Sequence, residues 1–413
     1  MSITFNKKQQ QVINELNQNI LLSAGAGTGK TNVLSYRVAN ILNKNRANAN
    51  EILCLTFTNK ACRELKNRIT SQLDFETANK ITIRTIHGFA YQVITTTAKK
   101  AQTIFKEFVI FDDEDQKTLI KQTIANFPKA RALDIQYIVN CIEQLKQERA
   151  LKHIYTEDIE ADYTTIYHQH LKFNKTFNQQ QSDNLTKFFQ FDGLNIIINY
   201  ELALQQMHGL DYKDLIANAY RLFQDENICL SWRKRYKYIM IDEMQDTSSF
   251  EYTMLENLFP ANNIMLCGDE FQTIYEWRGS NPQKILTAFT EKYNPLIINF
   301  NENYRSTKLL LEMAYNTLIN LFCKETILHS YAKNLLSKSS ELGHKIELKQ
   351  ANTLANEAQW IFQNIVNLLP LVKTPTQIAI LVRQNNYLQN NKRAKTYNKK
   401  ERIIMLQEVM TKP

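Results

Sequence analysis

A short glycine-rich loop constrains the fold of this chain more than any other feature. The loop occupies residues 24–31 and reads AGAGTGKT. The apolar run Ile20 to Leu22 precedes it, and apolar residues at helical spacing, including Val33 and Val38, follow it. A strand, a glycine-rich loop and a helix in this order predict a P-loop, in which backbone N–H groups converge on a phosphate. The sequence therefore predicts an α/β fold with a nucleotide site.

Each loop residue has an expected part in that site. Lys30 is expected to place its ammonium on the β- and γ-phosphate oxygens, and the Thr31 hydroxyl to ligate Mg²⁺. Ala24 stands where the general pattern has glycine, a position that only has to be small. A turn without a ligand is the alternative for such a loop alone. The candidate nucleotide-binding residues are Ala24, Gly25, Ala26, Gly27, Thr28, Gly29, Lys30 and Thr31.

An acidic pair far along the chain supports this prediction. Asp242 and Glu243 follow the apolar run at residues 238–241, so they should project from the carboxyl end of a strand, where open α/β sheets bind ligands. We expect Asp242 to hold Mg²⁺ and Glu243 to orient and deprotonate an attacking water. A solvated acidic turn is the alternative, but a buried pair without a cation would be costly.

The spacing of apolar runs predicts how the chain is organised. Short runs at residues 20–23, 52–57, 81–85, 238–242 and 264–268 alternate with helical patterns, which is typical of a parallel α/β sheet. A polar patch at residues 178–184 predicts a loop. The expected domains are a first α/β domain at 1–95 and 201–281, a helical insertion at 96–200, a partial second α/β domain at 282–388 with strands at 296–300 and 378–383, and a basic tail at 389–413.

Composition limits the class of protein. The 413 residues suffice for two or three domains, and the formal charge of +9 favours an anionic partner, although 50 basic against 41 acidic residues is a mild excess. The cysteines are scattered without a Cys-x-x-Cys pair, which predicts reduced thiols in the cytoplasm. No signal-like N-terminus and no apolar run near the ~20 residues of a membrane span occur, which predicts no membrane contact.

A stretch some twenty residues after the acidic pair combines polar and aromatic groups. Gln272 is a candidate γ-phosphate contact, Tyr275 and Trp277 offer aromatic faces, and Arg278 is a second candidate nucleotide contact. Bases stacked on such rings gain about 1–3 kcal/mol each without sequence preference. Plain core packing is the alternative for aromatic residues at this spacing.

With these motifs in this order, the chain resembles superfamily 1 DNA helicases of the UvrD/Rep/PcrA type over residues 1 to about 388. The resemblance implies RecA-like P-loop domains with a helical insertion and an incomplete second RecA-like domain. It also implies ATP and Mg²⁺ as cofactors, single-stranded DNA and DNA junctions as partners, 3′ to 5′ movement and a role such as DNA repair.

The resemblance assigns roles to further residues, each of which alone has an ordinary structural alternative. Gln9 would read adenine, Arg37 would be a second nucleotide contact, Tyr304 would stack on adenine, and Arg305 would act as an arginine finger from the second domain. With Lys30, Glu243 and Gln272, Arg305 completes the expected catalytic set. The residues expected to follow the DNA strand are Phe57, Thr58, Asn59, Thr85, His87, Tyr212, Tyr275 and Trp277.

Toward its end the chain departs from this family. The resemblance is expected to stop near residue 388, without the family's fifth and sixth motifs or its second-domain insertion, and the tail could be a frameshifted one. An alternative function is therefore a remnant that binds ATP and single-stranded DNA without unwinding. A P-loop ATPase acting on protein or small molecules is a third possibility, and it would require the aromatic residues to be core.

Overall fold

The computed structural model describes residues 4–97, 107–156, 158–172, 179–274, 279–322, 336–339, 342–343 and 345–381. The chain forms two compact units, Met1–Leu342 and Gly343–Pro413. The predictions made for residues 275–278 and for the tail at 389–413 lie outside the described residues.

A parallel sheet of six strands lies at the centre of the first unit. The strands lie side by side in the order β3-β2-β6-β7-β1-β8. Their bounds are β1 (Ile20–Ala24), β2 (Ile52–Thr56), β3 (Thr82–Thr85), β6 (Tyr238–Ile241), β7 (Asn263–Gly268) and β8 (Leu296–Phe300). The predicted α/β fold with a parallel sheet is confirmed.

Alternate residues of the inner strands enter two separate cores. In β1, Leu22 packs on one face with the helices at Lys7–Asn14 and Lys30–Asn43, whereas Leu21 packs on the other face with the helices at Ile86–Thr97 and Tyr212–Leu222. Strands that are apolar on both faces require helices on both sides, which explains their continuous apolar runs. The helices of this layer are α1 (Lys7–Asn14), α2 (Lys30–Asn43), α3 (Asn59–Thr70), α4 (Phe75–Lys80), α5 (Ile86–Thr97), α11 (Tyr212–Leu222), α12 (Glu226–Arg235), α13 (Ser249–Glu256) and α14 (Pro282–Tyr293).

Five helices between β3 and β6 form a core of their own. Ile142, Phe188 and Ile197 are among its fully buried residues. Two short parallel strands, β4 (Val109–Phe111) and β5 (Gly209–Asp211), connect the two ends of this helical region. The helices are α6 (Asp113–Ile124), α7 (Ile135–Leu151), α8 (Ile159–Lys172), α9 (Gln179–Gln190) and α10 (Gly193–Gln206).

Two sequence expectations are corrected here. The polar patch at residues 178–184 does not form a loop where it is described, because α9 begins at Gln179. The strand at Leu296–Phe300 forms as predicted, but it pairs with β1 of the central sheet instead of starting a separate one. The apolar residues Ile298 and Phe300 explain this, because they complete the core that β1 shares with α2.

The remaining described elements follow β8 in the chain. β9 (Glu302–Asn303) pairs in parallel with β10 (Leu336–Ser337), and α15 (Lys308–Phe322) follows β9. In the second unit, α16 (Leu354–Leu368) is the main element, and residues 378–381 of the predicted strand at 378–383 carry no strand pairing. None of the helices formed by described residues is long and apolar enough to cross a membrane.

Candidate functional site

The glycine-rich loop folds as a tight turn between β1 and α2. Gly27 and Gly29 have φ angles of 76° and 87°, in the left-handed region that favours glycine. A Cβ atom at Gly27 would lie 2.6 Å from Cβ of Arg305. The Thr28 hydroxyl donates a hydrogen bond of 2.7 Å to the Gly25 carbonyl and closes the turn from inside. Ala24 and Thr28 are buried behind the loop, so they shape it instead of lining its surface.

Gln9 of α1 is fixed against this loop. Its Nε2 donates to the Thr28 carbonyl (3.0 Å), while its Oε1 accepts from the Asn6 backbone N–H (3.0 Å). The Asn6 side chain accepts in return from the Gln9 N–H, so the two residues form a capping box at the start of α1. The amide of Gln9 is therefore held beside the loop in one orientation.

The acidic pair stands at the end of β6, opposite the loop. The Asp242 backbone N–H donates to the Leu55 carbonyl of β2 (2.8 Å), which continues the sheet by one residue. Glu243 then has φ 53° and ψ 46°, a left-handed conformation unusual for a residue other than glycine. Its Oε2 lies 2.8 Å from Lys30 Nζ and accepts from Gln245 Nε2 at 2.7 Å. Lysine and glutamate, 213 positions apart, thus meet at one edge of the sheet.

The pKa values of the two carboxyls shift in opposite directions. Burial first, and then the charge of the neighbouring Glu243, raise the pKa of Asp242 to about 6 against the opposing effect of Lys30. Burial also acts to raise the pKa of Glu243, but Lys30 and hydrogen bonds from Lys30 and Gln245 outweigh it, so the net shift is downward. A divalent cation would relieve the cost of the buried Asp242 charge. The carboxylate of Asp242 is therefore suited to a divalent cation, and Thr31 lines the cleft beside Lys30.

Gln272 approaches the same place from the end of β7. Its Nε2 donates to Asp269 Oδ2 at 2.6 Å, and the Asp269 N–H donates to Gln245 Oε1 at 3.0 Å. Gln245 also bonds Glu243, so a chain of hydrogen bonds leads from Gln272 to the acidic pair. A change at Gln272 is thereby linked to the position of Glu243.

The segment after β8 closes the site from the other side. The Asn303 side chain donates to the Ala26 carbonyl (2.7 Å), and the Tyr304 N–H donates to the Gly27 carbonyl (2.8 Å). Oδ1 of Asn303 accepts from the Arg305 and Ser306 N–H groups at 2.9 and 2.7 Å. The Tyr304 hydroxyl donates to Glu302 and accepts from Asn6. Arg305 is therefore held over the loop within the first unit.

Many of these residues line one cleft of about 400 Å³, which we name the loop cleft, whereas the buried Asp242 is not among the residues that line it. It contains eleven of the residues expected to bind nucleotide or to act in catalysis. They are Gln9, Gly25, Ala26, Gly27, Gly29, Lys30, Thr31, Glu243, Gln272, Tyr304 and Arg305.

A second cleft on the same edge of the sheet contains aromatic residues expected to contact DNA. We name it the aromatic cleft, after Phe57, His87 and Tyr212, which line it. The His87 and Tyr212 rings meet edge to face with 5.4 Å between centroids, and Tyr212 is 38% exposed. Phe57 and His87 follow β2 and β3, so the parallel strands bring them to the edge that carries the loop.

The remaining DNA candidates flank this cleft at helix starts. Thr58 caps α3, because its Oγ1 accepts from the Ala61 N–H, and Asn59 is the exposed first residue of that helix. Thr85 Oγ1 accepts from the Gly88 N–H at 3.0 Å. Tyr275, Trp277 and Arg278 lie outside the described residues.

Comparison with known proteins agrees with this arrangement. Residues 5–294 match the family described as UvrD/REP helicase N-terminal domain, and residues 298–403 match the UvrD-like helicase C-terminal domain. The first match alone covers more than half of the chain. The chain belongs to the UvrD/Rep helicase family.

Relatives within the UvrD/Rep helicase family show how much of the chain is shared. A probable DNA helicase II homolog of Mycoplasma genitalium is 31% identical over 92% of this chain and 52% of its own length. ATP-dependent DNA helicase Rep of Buchnera aphidicola is 30% identical over 89% and 51%, and ATP-dependent DNA helicase PcrA of Staphylococcus aureus is 29% identical over 92% and 48%. The chain thus spans about half the length of the curated relatives it matches.

Two expectations drawn from this helicase resemblance are corrected. The match to the C-terminal domain continues past residue 388 to residue 403, so the resemblance extends farther than expected. Arg37 is not a nucleotide contact in this structure. Its side chain is fully buried, its Nη1 donates to the Val12 and Glu15 carbonyls, and its Nη2 donates to Asn263 at the start of β7. Arg37 therefore anchors α1 near the amino end of β7, whereas the loop cleft lies at the carboxyl ends of the strands.

Three polar residues of the candidate site were not predicted from the sequence. Asn303 holds Arg305 in place, Gln245 bridges Glu243 and Asp269, and Asp246 lines the aromatic cleft. Burial and Glu243 raise the pKa of Asp246 to about 6 despite the charge of Lys30. Each lies within three residues of a predicted functional residue, and this proximity was the signal that the sequence offered.

Proposed function

We propose that this chain is an ATP-driven DNA helicase motor, which hydrolyses ATP in the loop cleft while moving 3′ to 5′ along single-stranded DNA. The observation that carries the proposal is the 2.8 Å contact between Lys30 and Glu243. It places the lysine of a phosphate-binding loop and the carboxylate of an acidic pair at one edge of a parallel sheet, where ligands of α/β proteins bind. The direction of movement rests on the family resemblance alone.

In this proposal the residues of the loop cleft divide the work of phosphoryl transfer. The loop N–H groups and Lys30 bind the phosphates, and Glu243 orients and deprotonates the attacking water. Gln272 contacts the γ-phosphate, Arg305 stabilises the developing charge, and Gln9 and Tyr304 hold the adenine. Mg²⁺, held by Thr31 and Asp242, would neutralise charge on the phosphate oxygens.

Single-stranded DNA and DNA junctions are the proposed partners. Phe57, His87 and Tyr212 provide rings on which successive bases can stack, an interaction that tolerates any sequence. The formal charge of +9 favours the polyanion. Gln245 donates to Glu243, and the next residue, Asp246, lines the aromatic cleft, so this short segment joins the nucleotide residues to the cleft of the DNA residues.

A second candidate is a chain that binds ATP and single-stranded DNA without unwinding. It is favoured by the loop cleft, where Arg305 is the single candidate arginine finger among the residues that the structure describes. An arginine finger contributes about 10³–10⁵ to turnover in phosphoryl transfer, so a site lacking a second one would be slow.

Phosphate release by the purified chain, with and without single-stranded DNA, tests the proposal. We expect DNA to stimulate release by the wild type, and Lys30→Ala and Glu243→Gln to abolish it. Binding of labelled ATP, measured in parallel, should be lost in Lys30→Ala and kept in Glu243→Gln. Equal phosphate release by all three proteins would refute the proposal that the chain hydrolyses ATP. Binding of ATP and single-stranded DNA without phosphate release would support the second candidate.

A further inference from the structure

The central sheet is open along one side, at its outermost strand. β3 is its outermost strand and pairs with β2 in the register Leu53 to Thr82 through Thr56 to Thr85, and no described strand lies on its other side. An outer strand presents a row of backbone N–H and C=O groups to which a further strand can bind. This edge is therefore a candidate interaction surface.

A basic groove of about 410 Å³ follows this open edge, and we name it the edge groove. The chain segment 79–84 forms its floor, α3 forms one side, and Gln92 of α5 contributes from the other. Four cations line it, and no carboxylate occurs among the described residues that do so. These cations are Arg63, Lys66, Lys80 and Arg84.

The polar groups of the edge groove are only partly satisfied. Lys66 Nζ donates to the Ala78 carbonyl at 2.5 Å, whereas Arg63, Lys80 and Arg84 are exposed. Gln92 Oε1 is buried and accepts no hydrogen bond in the part of the chain that the structure describes. Buried acceptors normally have a donor, so this oxygen indicates a ligand with an N–H or O–H group. The unpaired Gln92 oxygen is an observation independent of the four cations.

We propose that the edge groove binds an extended acidic peptide segment, which adds to β3 as a further strand. Backbone hydrogen bonds to β3 would provide affinity, and carboxylates on alternate residues would face the four cations. A peptide N–H would satisfy Gln92 Oε1. A phosphodiester backbone has no N–H donor for the open carbonyls and for this oxygen, so a peptide fits better than a nucleic acid backbone. The groove shares no lining residue with the loop cleft or the aromatic cleft.

The same cations also discourage two copies of β3 from pairing with each other. This does not conflict with the proposal, because a basic edge repels a like strand and attracts an acidic one. A role limited to preventing such pairing predicts that no peptide binds, and the following experiment separates the two.

The test measures fluorescence anisotropy of a labelled peptide with the full chain at low salt. The probe has about nine residues, the length of a long strand, with Glu alternating with Val. One control peptide carries Lys in place of Glu. Two further controls keep Glu and carry N-methyl groups on one or the other set of alternate backbone nitrogens. We expect the Glu peptide to bind, the Lys peptide not to bind, and one of the two N-methylated peptides not to bind, because only alternate N–H groups of an added strand face β3.

Substitutions on the protein locate the binding. Arg63→Glu with Lys80→Glu should weaken peptide affinity by about tenfold or more, because two attractive charges become repulsive. Gln92→Leu should weaken it as well, and Lys121→Glu on α6 should leave it unchanged. No binding, or equal binding of the Lys peptide, would overturn the proposal. It would also be overturned if a single-stranded oligonucleotide binds at these residues and displaces the peptide.

Discussion

At the scale of single residues, the loop cleft depends on backbone conformations that side chains disfavour. Gly27, Gly29 and Glu243 all have positive φ angles, and two of the three are glycine. Glu243 adopts this conformation at a cost on the order of 1–3 kcal/mol, which the surrounding hydrogen bonds must offset. Strain of this kind concentrates at functional sites, and it turns the carboxylate toward Lys30.

Replacing Gly27 by alanine tests the close approach at the loop. The new Cβ would meet Arg305 at 2.6 Å in a backbone conformation that already disfavours alanine. We expect Gly27→Ala to weaken ATP binding and to displace Arg305. Gly279→Ala is the matched control, because Gly279 has φ 86° but no atom of the described residues within 4 Å of a Cβ placed there. That control should cost only the backbone term of about 1–2 kcal/mol. Equal ATP affinity in the two variants would contradict this reading of the contact.

The raised pKa of Asp242 predicts a pH dependence for Mg²⁺. Burial and Glu243 raise this pKa to about 6, so the protonated form is favoured up to that pH in the folded protein. Because the folded pKa exceeds the unfolded one, Asp242 contributes stability at low pH that is lost as the pH rises through about 6. Mg²⁺ requires the carboxylate and competes with the proton. We therefore expect Mg²⁺ affinity to rise between about pH 5 and 7, as measured by calorimetry, and Asp242→Asn to remove this dependence.

At the scale of elements, a buried ion cluster ties the helical region to the central domain. Lys146 of α7 is 2% exposed, and three carboxylates lie 2.6 to 2.7 Å from its Nζ: Glu201 of α10, and Asp211 and Asp214 at the start of α11. The charges of these carboxylates keep the pKa of Lys146 well above its usual value, although burial alone would lower it.

Removing the lysine should therefore destabilise the protein strongly. Lys146→Met leaves buried carboxylates without their cation, which typically costs about 3–5 kcal/mol in the free energy of unfolding. Urea unfolding followed by circular dichroism measures the loss. Lys117→Met is the control, because Lys117 pairs with the largely exposed Glu114 and should change stability by at most about 0.5 kcal/mol. A similar small effect at both positions would show that the cluster does not hold the elements together.

The strands were the most predictable elements, and the reason is physical. Strands buried on both faces must be continuously apolar, so β1, β2, β6 and β7 stand out in the sequence. The helix at Gln179–Gln190 was missed because its first turn is entirely polar, and its apolar residues, such as Leu185 and Phe188, come later. The partner of β8 was also missed, since an apolar run does not show which strand it pairs with.

At the scale of the whole molecule, the sequence indicated many of the residues that line the loop cleft. It did not indicate the residues that hold them in position. Lys30, Glu243, Gln272 and Arg305 belong to recognisable motifs, and the parallel sheet brings them to one cleft. The misassigned Arg37 shows the limit, because a role carried over from a family resemblance does not reveal which end of the strands the side chain faces. Asn303 was overlooked as a positioning residue, since hydrogen bonds between distant segments leave no local pattern.

Asn303 joins the loop, β9 and Arg305, so its removal tests how the distant segments cooperate. It is 2% exposed, and its side chain makes three hydrogen bonds, to Ala26, Arg305 and Ser306. Without them Arg305 is no longer held over the loop. Misplacing a catalytic group by about 1 Å can cost on the order of 10²-fold in rate, so we expect Asn303→Ala to lower turnover by about that factor.

Comparing the kinetic constants separates positioning from folding. Loss of position should lower kcat with little change in ATP affinity, whereas a loosened fold should lower both and also the unfolding midpoint. Asn299→Ala, at an exposed position of β8, is the matched control and should behave as wild type. Arg305→Ala should lower kcat at least as much as Asn303→Ala does. The variant that combines the two substitutions should have the same kcat as Arg305→Ala, because Asn303 acts through Arg305. Additive losses would show that Asn303 contributes independently, through its bond to the loop carbonyl of Ala26.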